Sequence, residues 1–217
     1  MPANERRAAI VTAARKVFSR DGYEGAKTSQ IAQEAGVSEA LVYRHFPSKL
    51  ALYRAVLRQL FIEQDENWQQ LGFHQNGAEG LVAAIHSFFV LAAQGDLTPE
   101  SLDRYRLTLA SLSGDGSYAS LIYRRSQRRN AKAIAQEHHA ARLAGDITGE
   151  PLEPSTTAMF IEHIGTMMGA IVALPEASRP YGESGEDLAR HATWFCCRGI
   201  GLSDAAIKRC LGGDRKT

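Results

Sequence analysis

Apolar residues recur at helical spacing from one end of the chain to the other, and almost nowhere do they alternate at period two. The pattern predicts an all-α protein. Ile10, Ala14, Val17 and Phe18 share one face of a first helix, and Asp21-Gly22 ends it, glycine being the usual residue just past a helix. Thr28 is an N-cap candidate for a second, short helix with Ile31, Ala32 and Ala35 inward, stopped by Gly36. Ser38 caps a third that runs to Phe46, where Pro47 cannot continue the ladder. Ser48 opens a long fourth helix bearing Leu52, Val56 and Leu60. Residues 71–80 read as a loop and as the boundary between a head and a body. A fifth helix carries Leu81, Ile85, Phe88, Phe89 and Ala92. A sixth starts at Thr98-Pro99 with proline at its first position, and a seventh runs from about Ser117 to Leu143. Residues 155–174 are apolar nearly all round, so burial on more than one face is expected, with Gly165 and Gly169 leaving a smooth strip. After a loop at 175–185, a last long helix spans about 186–200, and Ser203 caps a short tail. Two domains follow, 1–60 and 61–217.

Composition narrows the class. A chain of 217 residues, 44% apolar and 23% charged, can bury a real core. Its apolar runs are broken well short of a membrane span, and MPANERRAAIVTAARK carries charges inside its apolar stretch, unlike a secretory signal. Three cysteines, two of them adjacent (Cys196 and Cys197), give neither a disulfide framework nor zinc spacing. A cytoplasmic location is expected. The net charge of +1 hides an asymmetry: residues 1–60 hold ten Lys/Arg against five Asp/Glu, and residues 61–217 hold fifteen against nineteen. One basic end on an acidic body fits a protein that meets phosphate at that end only.

The basic end also has the layout of a helix-turn-helix over residues 28–46. At 100° per residue, Val42 and Phe46 fall on the inner side of the third helix, and Ala40, Leu41, Arg44 and His45 on the outer. Leu41 on that outer face suits a thymine methyl, and a small Ala40 permits close approach to base edges. Tyr43 sits at the edge of the face, where its hydroxyl can reach a phosphate oxygen. Thr28 and Ser29 offer hydroxyls and backbone N–H groups as a phosphate clamp, and Lys49 adds a counter-charge. Glu39 either accepts from a cytosine amino group or complements its own helix N-terminus.

Residues 9–57 resemble the DNA-binding head of the TetR family of bacterial regulators. The resemblance rests on Phe18 followed by Gly22-Tyr23, on Thr28 with Ile31-Ala32, on Gly36-Val37-Ser38, and on Tyr43-Arg44-His45-Phe46-Pro47-Ser48-Lys49. It covers about a quarter of the chain, the rest resembling the family in length and helical order. Position 40, often glycine or proline in such heads, is alanine here. The resemblance implies DNA contacts at Thr28, Ser29, Glu39, Ala40, Leu41, Tyr43, His45 and Lys49. It also implies a body for ligand binding and dimerisation, and a homodimer through the helices near 155–174 and 186–200. The partner is then a double-stranded operator, and a ligand in the body would move the fourth helix and spoil the spacing of two heads.

The effector is unnamed by the sequence. His86, Phe89, Tyr105 and Tyr123, with Met159, His163 and Met167, come from four helices and line either an apolar pocket with a few polar handles or plain core. They suit a small apolar or aromatic molecule. His163 is polar within a very apolar helix, which reads as a core histidine more readily than as a ligand contact. Trp68 and Trp194 are expected in core or interface. Glu137, His138 and His139 are poorly arranged for a metal, since adjacent helical side chains diverge by about 100°. Arg124, Arg125, Arg128 and Arg129 form a solvated basic face or an anion contact. Packed, inert cysteines are expected at 196 and 197. No catalytic motif, cofactor or metal site is read, so an enzyme is not expected. The reading that emerges is a ligand-responsive DNA-binding regulator, acting as a repressor. The alternative is an architectural or partner-controlled DNA-binding factor without a small-molecule ligand.

Overall fold

The computed structural model describes residues 2–70, 76–93, 99–114, 116–150, 152–183 and 185–212, with side chains described except at 64–70 and 99–101. The side chain of Trp68, Thr98 and half of the expected loop at 71–80 lie outside these. The described residues form helices α1 (Ala3–Gly25), α2 (Thr28–Glu34), α3 (Glu39–His45), α4 (Lys49–Gln70), α5 (Ala78–Ala93), α6 (Pro99–Ser113), α7 (Ser117–Leu143), α8 (Pro154–Val172), α9 (Gly185–Gly199) and α10 (Asp204–Leu211), with a 3-10 turn at Glu176–Ser178. The fold is all-α, and the only extended pairing among the described residues is a single bridge between Ile147 and Leu202.

The boundaries follow local chemistry. Gly22 interrupts α1 with φ 68°, so the stop expected there is a break inside a helix that resumes for one short turn. Gly36 takes φ 65° after α2, a conformation that penalises any Cβ. Ser38 accepts from the Leu41 N–H at 3.3 Å, and Ser48 from the Ala51 N–H at 3.1 Å, so both expected caps form. The cap of α2 differs from expectation. Lys27 is the N-cap, Thr28 is already helical, and Gln30 Oε1 accepts from the Lys27 N–H at 2.9 Å.

Two compact units result. The first holds α1 to α4, α6 and the start of α7; the second holds α5, the rest of α7 and α8 to α10. In the first, Ile10, Ala14, Val17 and Phe18 of α1 are buried together with Ile31, Val42, Phe46, Leu52 and Val56. Tyr53 of α4 meets Phe18 edge-on at 4.9 Å. α1 packs on α2 and along α6. In the second, α5 is central and packs on α8, α9 and α10. Leu81, Val82, Ile85 and Phe89 are buried there with Ala189, Cys197 and Ile207.

Gly165 of α8 is required by a close approach. A Cβ there would lie 2.2 Å from Phe88 Cε1, so the smooth strip is the bed of an aromatic ring. The expectation of α8 buried on more than one face is not met among the described residues. Met168, Gly165 and Gly169 are buried, but Phe160 and Met167 are 54% and 50% exposed.

Candidate nucleic-acid interface

α2, the turn at Gly36 and α3 form the helix-turn-helix. Val42 and Phe46 are buried at 1% and 3% exposure and hold α3 against the unit's core. Arg7 covers the Phe46 ring at 4.8 Å, closing that side. The opposite face is open: Glu39, Ala40, Tyr43 and Arg44 are exposed, while Leu41 and His45 are half-buried. Leu41 is thus less free than its wheel position suggests.

Tyr43 Oη donates to Thr28 Oγ1 at 3.3 Å and ties α3 to the first turn of α2. Thr28 is buried and Ser29 beside it is exposed. The Lys49 ammonium donates to the carbonyls of Glu24 and Ala26 at 3.2 and 3.1 Å and lies 4.6 Å from the Tyr23 ring. An ammonium has three N–H bonds, so Lys49 spends two of them anchoring α4 to the end of α1.

Arg15, Ser19 and Asp103 were invisible to pattern reading. Arg15 faces inward from α1 at 4% exposure and donates through Nη1 to both carboxylate oxygens of Glu63 in α4, at 2.9 and 2.8 Å. Ser19 Oγ donates to Asp103 Oδ1 of α6 at 2.7 Å. An inward arginine among Ile10, Ala14 and Phe18 was the one available signal.

The seven residues expected to line an effector pocket are divided between the two units. Tyr105 belongs to the first unit, where Arg104 Nη2 donates to its hydroxyl at 3.1 Å. Phe89 is fully buried core. His86 Nδ1 lies 3.2 Å from Thr193 Oγ1. That hydroxyl gives its proton to the Ala189 carbonyl at 2.7 Å, so His86 Nδ1 is the donor. His163 is exposed rather than a core histidine, and its ring meets Tyr123 edge-on at 4.9 Å. Burial and the Glu162 carboxylate raise the Tyr123 hydroxyl above its usual range. Met159 is half-buried and Met167 half-exposed. A cleft of about 550 Å³ in the second unit is lined instead by Ile134, His138, Arg142, Leu152, Pro154 and Ile200, among others, and by none of the seven.

His138 Nε2 is bonded to the Ile200 carbonyl at 3.1 Å. Among the described residues no three His, Cys, Asp or Glu side chains gather as a metal site, and no helix is long and apolar enough to cross a membrane. Cys196 and Cys197 are buried in the second core. Burial pushes the Cys196 thiol up to about 12 and raises Cys197 also.

Comparison with known proteins places this arrangement. The family model described as "Bacterial regulatory proteins, tetR family" matches residues 10–56. The transcriptional activator FasR of Mycolicibacterium smegmatis is 39% identical over 90 residues, 41% of either chain, so the match spans less than half of that relative. A tetR-family regulatory protein from Rhodococcus RHA1 superposes with a TM-score of 0.66 at 20% identity, covering 94% of this chain and all of the other. The structure of AibR in complex with isovaleryl coenzyme A and operator DNA gives a TM-score of 0.66 at 18% identity, covering 91% of this chain and 100% of that one. The head matches in sequence and the remainder in fold. Residues 10–56 thus match the DNA-binding head of the TetR family of bacterial regulatory proteins, and the chain as a whole shares the all-helical fold of TetR-family structures.

Proposed function

We propose that the chain is a ligand-responsive, cytoplasmic repressor. Residues 1–60 bind DNA and residues 61–217 form the ligand-binding and dimerisation body. The observation that carries this reading is the division of α3 into a buried side, Val42 and Phe46, and an open side bearing Ala40, Tyr43 and Arg44. An exposed helix face beginning with a methyl and ending in a cation fits the major groove. Ser29 takes a phosphate oxygen at its edge, Tyr43 lays its ring beside the backbone while its hydroxyl holds Thr28, and Lys49 contributes through its remaining N–H.

A homodimer through α8 and α9 supplies the second head, about 34–36 Å away along the duplex. Phe160 and Met167 on α8 and Phe195 on α9, the last 71% exposed, support that reading, because apolar side chains so open are characteristic of interfaces. The effector is a small apolar or aromatic molecule, with His86, Tyr123 and Met159 among its contacts in the second unit. AibR, whose structure holds both isovaleryl coenzyme A and operator DNA, gives acyl thioesters as the first class to screen.

Selection of duplexes from a random library tests the DNA-binding reading. A two-fold symmetric sequence is expected, and Ala40→Glu is expected to abolish binding to it by setting a carboxylate against the base edges. No enrichment, or an Ala40→Glu variant that binds like the parent, would refute it. Release of the selected duplex by an acyl thioester or an aromatic compound supports the effector. Retention with every apolar ligand favours partner control.

A further inference from the structure

α7 carries most of its cations on one face. Residues 117–143 hold six Lys/Arg against one Asp/Glu, while the rest of residues 61–217 hold nine against eighteen. At 100° per residue, Arg124, Arg128, Lys132, His139 and Arg142 fall within about 80° of arc, and all five are exposed. Glu137, the one acid of the helix, falls on the opposite side and accepts from the Gly77 N–H. None of the ion pairs among the described residues uses Arg124, Arg128, Lys132 or Arg142. Cations four residues apart stand about 6 Å apart along the axis, and the whole row runs about 27 Å. A solvated face ordinarily mixes the two signs. A row of one sign with no acid in it concentrates anions.

The row runs into the cleft of the second unit. That cleft, about 550 Å³, is of ordinary size for a small-molecule site. His139 and Arg142 of the charged face line it, and Ile134, Leu152, Pro154 and Ile200 give it apolar surface. His138 is fixed in its wall, because the Ile200 carbonyl can only accept and Nε2 donates to it at 3.1 Å. Glu153 stands on the far wall, and its carboxylate serves its own helix, accepting from the Ser155 hydroxyl and the Thr156 N–H. A ligand anion is therefore repelled from the α8 side and drawn to α7. The two ends of the site differ in character: cations without partners along the helix, then an apolar cleft whose far wall is negative.

We propose that the outer face of α7 and this cleft form a binding site for a phosphate or diphosphate ester of an apolar chain. The chain lies in the cleft, and the head lies on Lys132 and Arg128. A lone carboxylate needs one cation. A row of guanidinium and ammonium groups suits several negative oxygens, and arginine takes phosphate through paired N–H bonds. Exposed ionic contacts are individually weak, so the head alone binds poorly, and joining it to a buried chain makes the two contributions act together. The site is separate from the effector contacts at His86, Tyr123 and Met159, and it does not depend on the reading of α3.

Titration calorimetry of the full-length chain with geranyl diphosphate tests this, with inorganic diphosphate and geraniol as the two halves. One ester per chain is expected, with each half bound at least about tenfold more weakly. An Arg128→Gln, Lys132→Gln double variant should weaken the ester about tenfold, and Leu152→Asp, which sets a charge in the apolar wall, by a similar factor. Arg58→Gln, an exposed cation on α4, should bind within about twofold of the parent. All four positions are exposed, so each variant keeps its fold. Absence of ester binding overturns the proposal, as does a double variant or a Leu152→Asp variant that binds like the parent. Inorganic diphosphate bound as tightly as the ester marks an anion-collecting surface without a chain site and overturns it too. Vesicles of phosphatidylglycerol give the last arm: capture by them without binding of the soluble ester assigns the face to a membrane and refutes the small-molecule site.

Discussion

Phe195→Glu gives the strongest test of dimerisation. Phe195 lies on α9 with 71% of its surface open. A phenylalanine side chain can bury about 200 Å², so about 140 Å² awaits a partner. At about 25 cal/mol per Å² its burial is worth about 3.5 kcal/mol, and two-fold symmetry counts it twice, about 7 kcal/mol per dimer. Interfaces rarely realise the whole of an area estimate, and half of it, about 3.5 kcal/mol, still corresponds to a dissociation constant raised about 300-fold. A glutamate adds the cost of a desolvated charge in the same direction. Sedimentation equilibrium across a concentration series reads the change directly. Leu143→Glu is the control: Leu143 is 77% exposed at the end of α7, outside α8 and α9, and its replacement should leave association unaltered. A parent that stays monomeric throughout, or a Phe195→Glu variant that associates as the parent does, would refute the α8–α9 dimer.

Three further outcomes are expected. Gly165→Ala should destabilise the chain by about 1–3 kcal/mol in urea, since the new Cβ must displace the Phe88 ring, and Phe88→Leu in the same background should recover part of the loss. Ser38→Ala should cost about 1 kcal/mol through the lost α3 cap and lower the protection of α3 amides from hydrogen exchange more than that of α5. The thiols give a pH dependence. Unfolded cysteines ionise near pH 8.5, whereas burial holds Cys196 protonated to about 12. The unfolded chain therefore binds fewer protons above pH 8.5, so this contribution to stability is intact below that value and is lost as pH rises toward 12. Urea midpoints should fall between pH 8 and about 10.5 more in the parent than in a Cys196→Ala, Cys197→Ala variant, and iodoacetamide should label both sites only on unfolding.

The α3 surface was legible in the sequence because it depends on short-range facts. The four-residue spacing from Val42 to Phe46 fixes which side is buried, and Ser38 and Ser48 cap helices within three residues of themselves. The N-cap of α2 shows how narrow that legibility is. Thr28 has the better capping side chain, but Gln30 satisfies the Lys27 N–H, and the threonine hydroxyl is left to Tyr43. Lys49 misled for another reason. Its charge was readable, but the carbonyls that claim it, at Glu24 and Ala26, become acceptors only after α1 ends beside it. Residue type and helical face point to candidate effector contacts but carry no information on which helices meet. Tyr105 went to the first unit and His163 to the surface for that reason. The Ser19–Asp103 bond spans 84 positions and has no periodic signature.

The bond from Tyr43 to Thr28 has a kinetic consequence. α3 is fastened to α2 before any duplex arrives, and Phe46 is held beneath it under Arg7. A reader assembled in advance spends no time ordering itself at each register it samples. On the proposed DNA-binding reading, encounters driven by phosphate charge alone begin and end quickly, and the chain moves along non-cognate duplex without lingering. Discrimination then falls on how long the protein stays and not on how fast it arrives, so changes at Tyr43 or Thr28 should appear first in residence time.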